Sequence, residues 1–148
     1  MWAFDYGADD VTLQNMIPSV KAIADLDDSA AEIADQVDYV REVTGSDKVN
    51  LVGHSQGGMH IKTYTQMHNG ADHVSHAVAL GGNFHGTTLN GQGEALSKII
   101  AFAPHLAAFM ASTAGIQQVV GSEFIKRLNA LPDTAPGVLY TSIYSPGD

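Results

Sequence analysis

Gly53-His54-Ser55-Gln56-Gly57 stands where a β-branched run gives way to a helical one, and it constrains the chain more than any other segment. Val49-Asn50-Leu51-Val52 reads as a buried strand. The stretch from Met59 to about His68 reads as a helix closed by Gly70. A strand that passes into a helix through five residues must turn sharply, and glycines two places either side of Ser55 let the neighbouring backbones pass at close range. A serine hydroxyl is a poor nucleophile unless it is exposed and next to a base. Such a turn lifts it above the sheet. The amides of the following helix face the same spot, so Gln56 N–H is placed to hold an oxyanion. Ser55 is the candidate nucleophile, and Gly53 and Gly57 form its elbow.

The rest of the chain alternates in the same manner. Trp2-Ala3-Phe4-Asp5-Tyr6 suits a short strand ending at Gly7. A polar connection with Pro18 and the acidic cluster Asp25, Asp27 and Asp28 leads to Ser29-x-x-Glu32, a capping-box pattern that predicts a helix start. Ile33, Val37 and Val40 recur at helical spacing, and Gly45 is placed to stop that helix. Val74–Leu80 predicts a second strand. Leu89–Gly137 is helical and Ala-rich, with breaks at Pro104, Gly115, Gly121 and Pro132; Ser122 caps its last helix, which buries Phe124, Ile125 and Leu128. Val138–Tyr144 predicts the final strand. Strands alternating with helices imply an α/β fold with a parallel sheet and right-handed crossovers. The expectation is one domain over residues 1–148, with 89–137 as a helical insertion before the last strand.

Charge narrows the partners. Sixteen Asp and Glu against seven Lys and Arg give a net charge of −9, which repels phosphate backbones, so no nucleic-acid partner is expected. Association with a neutral lipid interface is compatible with that balance. Without cysteine there is no thiolate nucleophile or cysteine metal site. The most apolar run, Ile99–Met110, contains Pro104 and His105 and falls short of the about 20 residues a membrane span needs. No basic stretch followed by an apolar one opens the chain, so no secretory signal is visible.

Leu51-Val52-Gly53-His54-Ser55-Gln56-Gly57-Gly58-Met59 resembles the nucleophile segment of bacterial class 2 lipases in the α/β-hydrolase superfamily. Further segments match in the same order: Phe4-Asp5-Tyr6-Gly7; Gly81-Gly82-Asn83-Phe84-His85-Gly86-Thr87-Thr88; Gly121-Ser122-Glu123-Phe124 with Leu128-Asn129; and Tyr140-Thr141-Ser142-Ile143-Tyr144-Ser145-Pro146-Gly147-Asp148. The resemblance spans essentially the whole chain. It implies an α/β-hydrolase fold, a carboxylic ester hydrolase acting on acyl ester or lipid substrates, an acyl-enzyme mechanism without cofactor, and an extracellular setting. It also implies that Asp148 is the triad acid, which agrees with the order Ser, acid, His along the chain. A turn aspartate is the other reading of Pro-Gly-Asp.

In that order the base comes after Asp148, and the oxyanion loop with the second donor comes before the segment that opens the chain. Both are expected outside these residues, so the chain reads as an internal fragment, inactive by itself, whose sheet has either a gap or an unusual pairing. None of the seven histidines takes the base's place: His54 lies inside the elbow in a packing role, His85 precedes the acid, and His105 reads as a surface or lid residue. His60, His68, His73 and His76 read as structural or solvated, and no metal is expected. Ile99, Ile100, Phe102, Leu106, Phe109 and Met110 fit a core helix pair from pattern alone; the resemblance makes them a lid or pocket wall. An acyltransferase of the same fold and a non-catalytic lipid-binding relative are the competing functional readings.

Overall fold

Three of the β-branched runs form parallel strands, β1 (Val49–His54), β2 (Val74–Leu80) and β3 (Leu139–Ile143), laid side by side in the order β1-β2-β3. The structure is a computed structural model and describes residues 1–8, 20–88, 91 and 93–145. These fall into two compact units: Met1–Phe4 with Ala30–Phe84 and Leu128–Asp148, and Asp5–Ser29 with His85–Arg127.

The first unit holds the sheet, most of helix α1 (Leu26–Thr44) and all of helix α2 (Gln56–Met67). One face of the sheet is closed. Val37 of α1 and Ile61 and Tyr64 of α2 pack with Val74, Ala77 and Ala79 of β2, and Ala135 and Val138 complete this core. The other face is open: Val52, Leu139 and Ile143 are 69%, 66% and 55% exposed. That corrects the reading of Val49–Val52 as a buried strand, because its side chains alternate between half-buried and exposed. β1 is an edge strand among the described residues, so neither a gap nor a substitute partner arises at its outer side. Trp2–Tyr6 is not a strand, since residues 1–8 join no ladder. Aromatic content raises β propensity only where a neighbouring strand supplies cross-strand contacts.

Helix ends follow backbone needs more closely than the sequence patterns did. α1 begins at Leu26, ahead of the capping box, because the Asp25 carboxylate accepts Asp27 N–H at 2.8 Å and Asp28 N–H at 3.4 Å. Ser29 is instead buried inside the helix. At the other end Gly45 adopts φ 67°. Its N–H reaches Glu42 C=O, and Ser46 N–H reaches Arg41 C=O, the paired bonds of a Schellman stop. α2 is closed by Asn69 in the left-handed region, not by Gly70. Gly70 is required for space, since a β-carbon there would overlap the Tyr64 ring.

The second unit contains α3 (Gly93–Phe102), α4 (Pro104–Ala111), α5 (Thr113–Gln117) and most of α6 (Glu123–Asn129). Pro104 opens α4, where its missing N–H costs nothing. The next break is Ser112, at φ 64° with its hydroxyl accepting Gly115 N–H; Gly115 lies within α5, contrary to its reading as a break. Ser122 caps α6 as expected, accepting Ile125 N–H at 3.1 Å, and Phe124, Ile125 and Leu128 are buried. Gln117 reaches back 91 residues: its carbonyl accepts Leu26 N–H at 2.7 Å and its amide donates to Asp25 at 2.7 Å. Phe102, Leu106, Phe109 and Met110 are exposed, so α3 and α4 are not the core pair their pattern allowed.

Candidate active site

Ser55 lies between the last residue of β1 and the first of α2, exposed, at φ 52° and ψ −118°. A serine in front of a helix ordinarily turns its hydroxyl onto the second or third amide. Here the backbone is outside the capping region and the hydroxyl makes no capping bond. The conformation is sparsely populated for any residue with a β-carbon and costs on the order of 1–3 kcal/mol, so the surroundings must impose it. Ser55 N–H donates to Leu80 C=O at 2.9 Å, and Ser55 C=O accepts Gly58 N–H at 2.9 Å and Met59 N–H at 3.3 Å.

The glycines act by absence. A β-carbon on Gly53 would overlap the Gly57 carbonyl, and one on Gly58 would stand 2.8 Å from Gly82 Cα. A β-carbon on Gly82 would in turn meet Phe84, Ala79 and Gly58 at 3.1 to 3.3 Å. The start of α2 therefore presses directly on the end of β2. This seats Gln56 in the first helical turn, where amides point along the axis away from the helix. The Gln56 side chain is itself buried. At the same rim Gly81 N–H donates to Ile143 C=O at 2.8 Å, so the C-terminal ends of all three strands are laced together.

A family model described as the alpha/beta hydrolase fold matches residues 7–98, well over half of the chain. The chain belongs to the α/β-hydrolase fold family. Its resemblance to solved structures extends further along the sequence. The mature form of Bacillus licheniformis lipase BlEst2 is 22% identical with a TM-score of 0.58, over 80% of this chain and 47% of that one. The propeptide form of the same lipase gives 25% and 0.60, over 80% and 26%. Phospholipase PlaB from Legionella pneumophila gives 19% and 0.58, over 97% and 30%. This α/β-hydrolase chain thus spans less than half the length of each. No curated protein matches it.

Of the candidate residues, Gly53, Ser55, Gln56 and Gly57 come together at the elbow of this α/β-hydrolase fold. Asp148 lies outside the described residues. His54 is exposed, not packed, and His85 is exposed in the turn after β2, within the second unit. His60 is buried in α2 with Nδ1 3.2 Å from Thr63 Oγ1. Burial, reinforced by the nearby His68, lowers its pKa to about 4, so it is a neutral packing imidazole at neutral pH. Among the described residues no three His, Cys, Asp or Glu side chains gather in a metal-binding group, and no helix is long and apolar enough to cross a membrane.

One polar feature beneath the elbow had no reading in the sequence. Lys62, two turns beyond Ser55, is fully buried and pairs with Asp133 at 2.8 Å. Ala135 N–H donates to the Tyr140 hydroxyl at 3.0 Å; that hydroxyl reaches Thr65 Oγ1 at 3.3 Å, and Thr65 donates to Ile61 C=O at 2.9 Å. No local signal could have found it, because its contacts join residues 71 and 75 positions apart.

Proposed function

We propose that this chain carries the nucleophile portion of a serine carboxylic ester hydrolase of the lipase or esterase type. Ser55 Oγ attacks the carbonyl carbon of an acyl ester, a histidine takes the hydroxyl proton, and Gln56 N–H stabilises the resulting oxyanion. Collapse expels the alcohol, which receives that proton, and water then releases the acyl group by the same steps. Asp148 orients the histidine, which is supplied from beyond these 148 residues, as is the second oxyanion donor. By this reading the chain alone is inert, no cofactor takes part, and the exposed apolar residues of α3 and α4 serve the acyl or lipid side of the reaction.

The observation that carries the reading is the conformation of Ser55: strained, exposed, excluded from capping, and at the C-terminal end of a parallel strand. Nothing in the packing of this unit needs a serine there, whereas a nucleophile needs all four properties. The lipase and phospholipase neighbours support the substrate class.

A fluorophosphonate probe tests it. A polypeptide continuing past Asp148 to the next histidine-bearing loop is expected to label at Ser55, with labelling abolished in Ser55→Ala. The 148-residue chain is expected to label at least about a hundredfold more slowly, the usual contribution of a positioned base. Equal rates would place the base inside this chain, with His85 first to be tested, and no labelling of either would remove Ser55 from the chemistry.

A further inference from the structure

β3 lies on the sheet in a register that apolar burial does not select. Its residues pair with β2 as His76–Leu139, Ala77–Tyr140, Val78–Thr141, Ala79–Ser142 and Leu80–Ile143. Ala77 and Ala79 belong to the closed face, so Tyr140 and Ser142 share that face, while Leu139 and Ile143 point to the open one and are more than half exposed. A slip of one residue would turn Leu139 and Ile143 inward and reverse this. That slip would also turn Val138 and Tyr140, which pack in the core, outward, so the hydrophobic pattern does not by itself decide the alignment and something else must hold the right one.

We infer that Tyr140 is a positioning residue whose hydroxyl, together with the Lys62–Asp133 pair, fixes the register of β3 against β2. In this register the phenol sits between Ala135 N–H and Thr65 Oγ1, and a slip in either direction carries it away from Thr65 on α2. Asp133 anchors the approach to the strand: its carboxylate is the partner of a lysine that has no exposure of its own. Both attachments lead to α2, the helix that begins at Ser55. The inference rests on the proposed roles of Ser55 and Asp148 for its meaning. Each residue of slip moves the strand end by about 3.3 Å, so a two-residue slip displaces whatever follows Ile143 by roughly 6–7 Å. That is beyond the hydrogen-bond reach a triad requires.

Because the chain has no cysteine, introduced pairs report register directly. Val78→Cys with Thr141→Cys marks the native alignment, Val78→Cys with Ser142→Cys a one-residue slip, and Val78→Cys with Leu139→Cys or Ile143→Cys a two-residue slip. With a short bifunctional thiol reagent, the otherwise native chain is expected to link only at the Val78–Thr141 pair. Adding Tyr140→Phe should raise linking at the slipped Ser142, Leu139 or Ile143 pairs several-fold at the expense of the native pair. Thr65→Val should act in the same direction, Thr65→Ser should retain the native pattern, and Asp133→Asn should behave like Tyr140→Phe. If Tyr140→Phe prevents folding, Thr65→Val addresses the same hydroxyl from the other side. Confinement to the Val78–Thr141 pair in Thr65→Val and Asp133→Asn alike would overturn the inference. No arm depends on catalysis, so an inert Ser55 would leave the register result standing, and a failed register result would leave the nucleophile untouched.

Discussion

The two ends of the proposed site are held by different kinds of force. At the elbow, Ser55 is fixed by backbone alone: Gly53 against Gly57, Gly58 against Gly82, and a hydrogen bond from its N–H to Leu80 C=O. At β3, the strand is held by its ladder, by its own Tyr140 reaching Thr65 of α2, and by Lys62 of α2 pairing with Asp133 ahead of the strand. The first arrangement is steric and has one solution. The second is a set of polar contacts on a strand whose apolar pattern does not by itself choose the register. A contact made of excluded volume tolerates almost no substitution, whereas one made of hydrogen bonds fails in steps.

Substitutions at the two ends sharpen this contrast. The largest effect is expected from Gly53→Val, whose side chain has to occupy the volume of the Gly57 carbonyl. Destabilisation should exceed about 4 kcal/mol, the range reserved for severe core conflicts, and chemical denaturation should show either a collapsed midpoint or no cooperative transition. A loss below about 1 kcal/mol would mean that the elbow yields, and the steric account would fail.

Asp133→Ala comes next. It leaves the Lys62 ammonium buried without this partner, a change that typically costs about 3–5 kcal/mol when both charges are enclosed. Asp133 is 59% exposed, so water screens part of the interaction and a value near 2–3 kcal/mol is expected. Lys62→Met in the same background should recover most of it. Failure of that double variant to recover stability would show that the lysine is not the buried liability.

The sequence made the elbow legible because the residues that mark it lie within ten positions of one another, and glycine spacing around a serine has few structural interpretations. β2, β3 and the body of α1 were equally readable from short-range periodicity. The readings that failed depended on something distant. Val49–Val52 looked buried, yet its outer face has no cover among the described residues. Ser29-x-x-Glu32 looked like a helix start, while the chain prefers Asp25, steadied by Gln117 from 92 residues away. The Lys62–Asp133 and Thr65–Tyr140 contacts join residues 71 and 75 positions apart. Nothing local distinguishes Lys62 from a solvated lysine.

The smallest effect has the opposite sign. Ser55→Gly removes the β-carbon that makes φ 52° costly and should stabilise the chain by about 1 kcal/mol, seen as an upward shift of the thermal midpoint. Phosphonate labelling should vanish in the same protein. A destabilised Ser55→Gly would mean that the serine side chain contributes packing or hydrogen bonding that outweighs its strain, and would weaken the case that the position is kept for chemistry.

The open side of β1 has a colloidal consequence. Val49–His54 contains no lysine, arginine, aspartate or glutamate, the residues that commonly deter one strand edge from adding to another. What keeps two such edges apart is the charge of the whole chain, −9 at neutral pH, acting at a distance. That defence has a range of about 10 Å at 0.1 M salt and about 3 Å at 1 M. Solutions of this protein should therefore be clearest in dilute buffer, and salting-in behaviour should be absent.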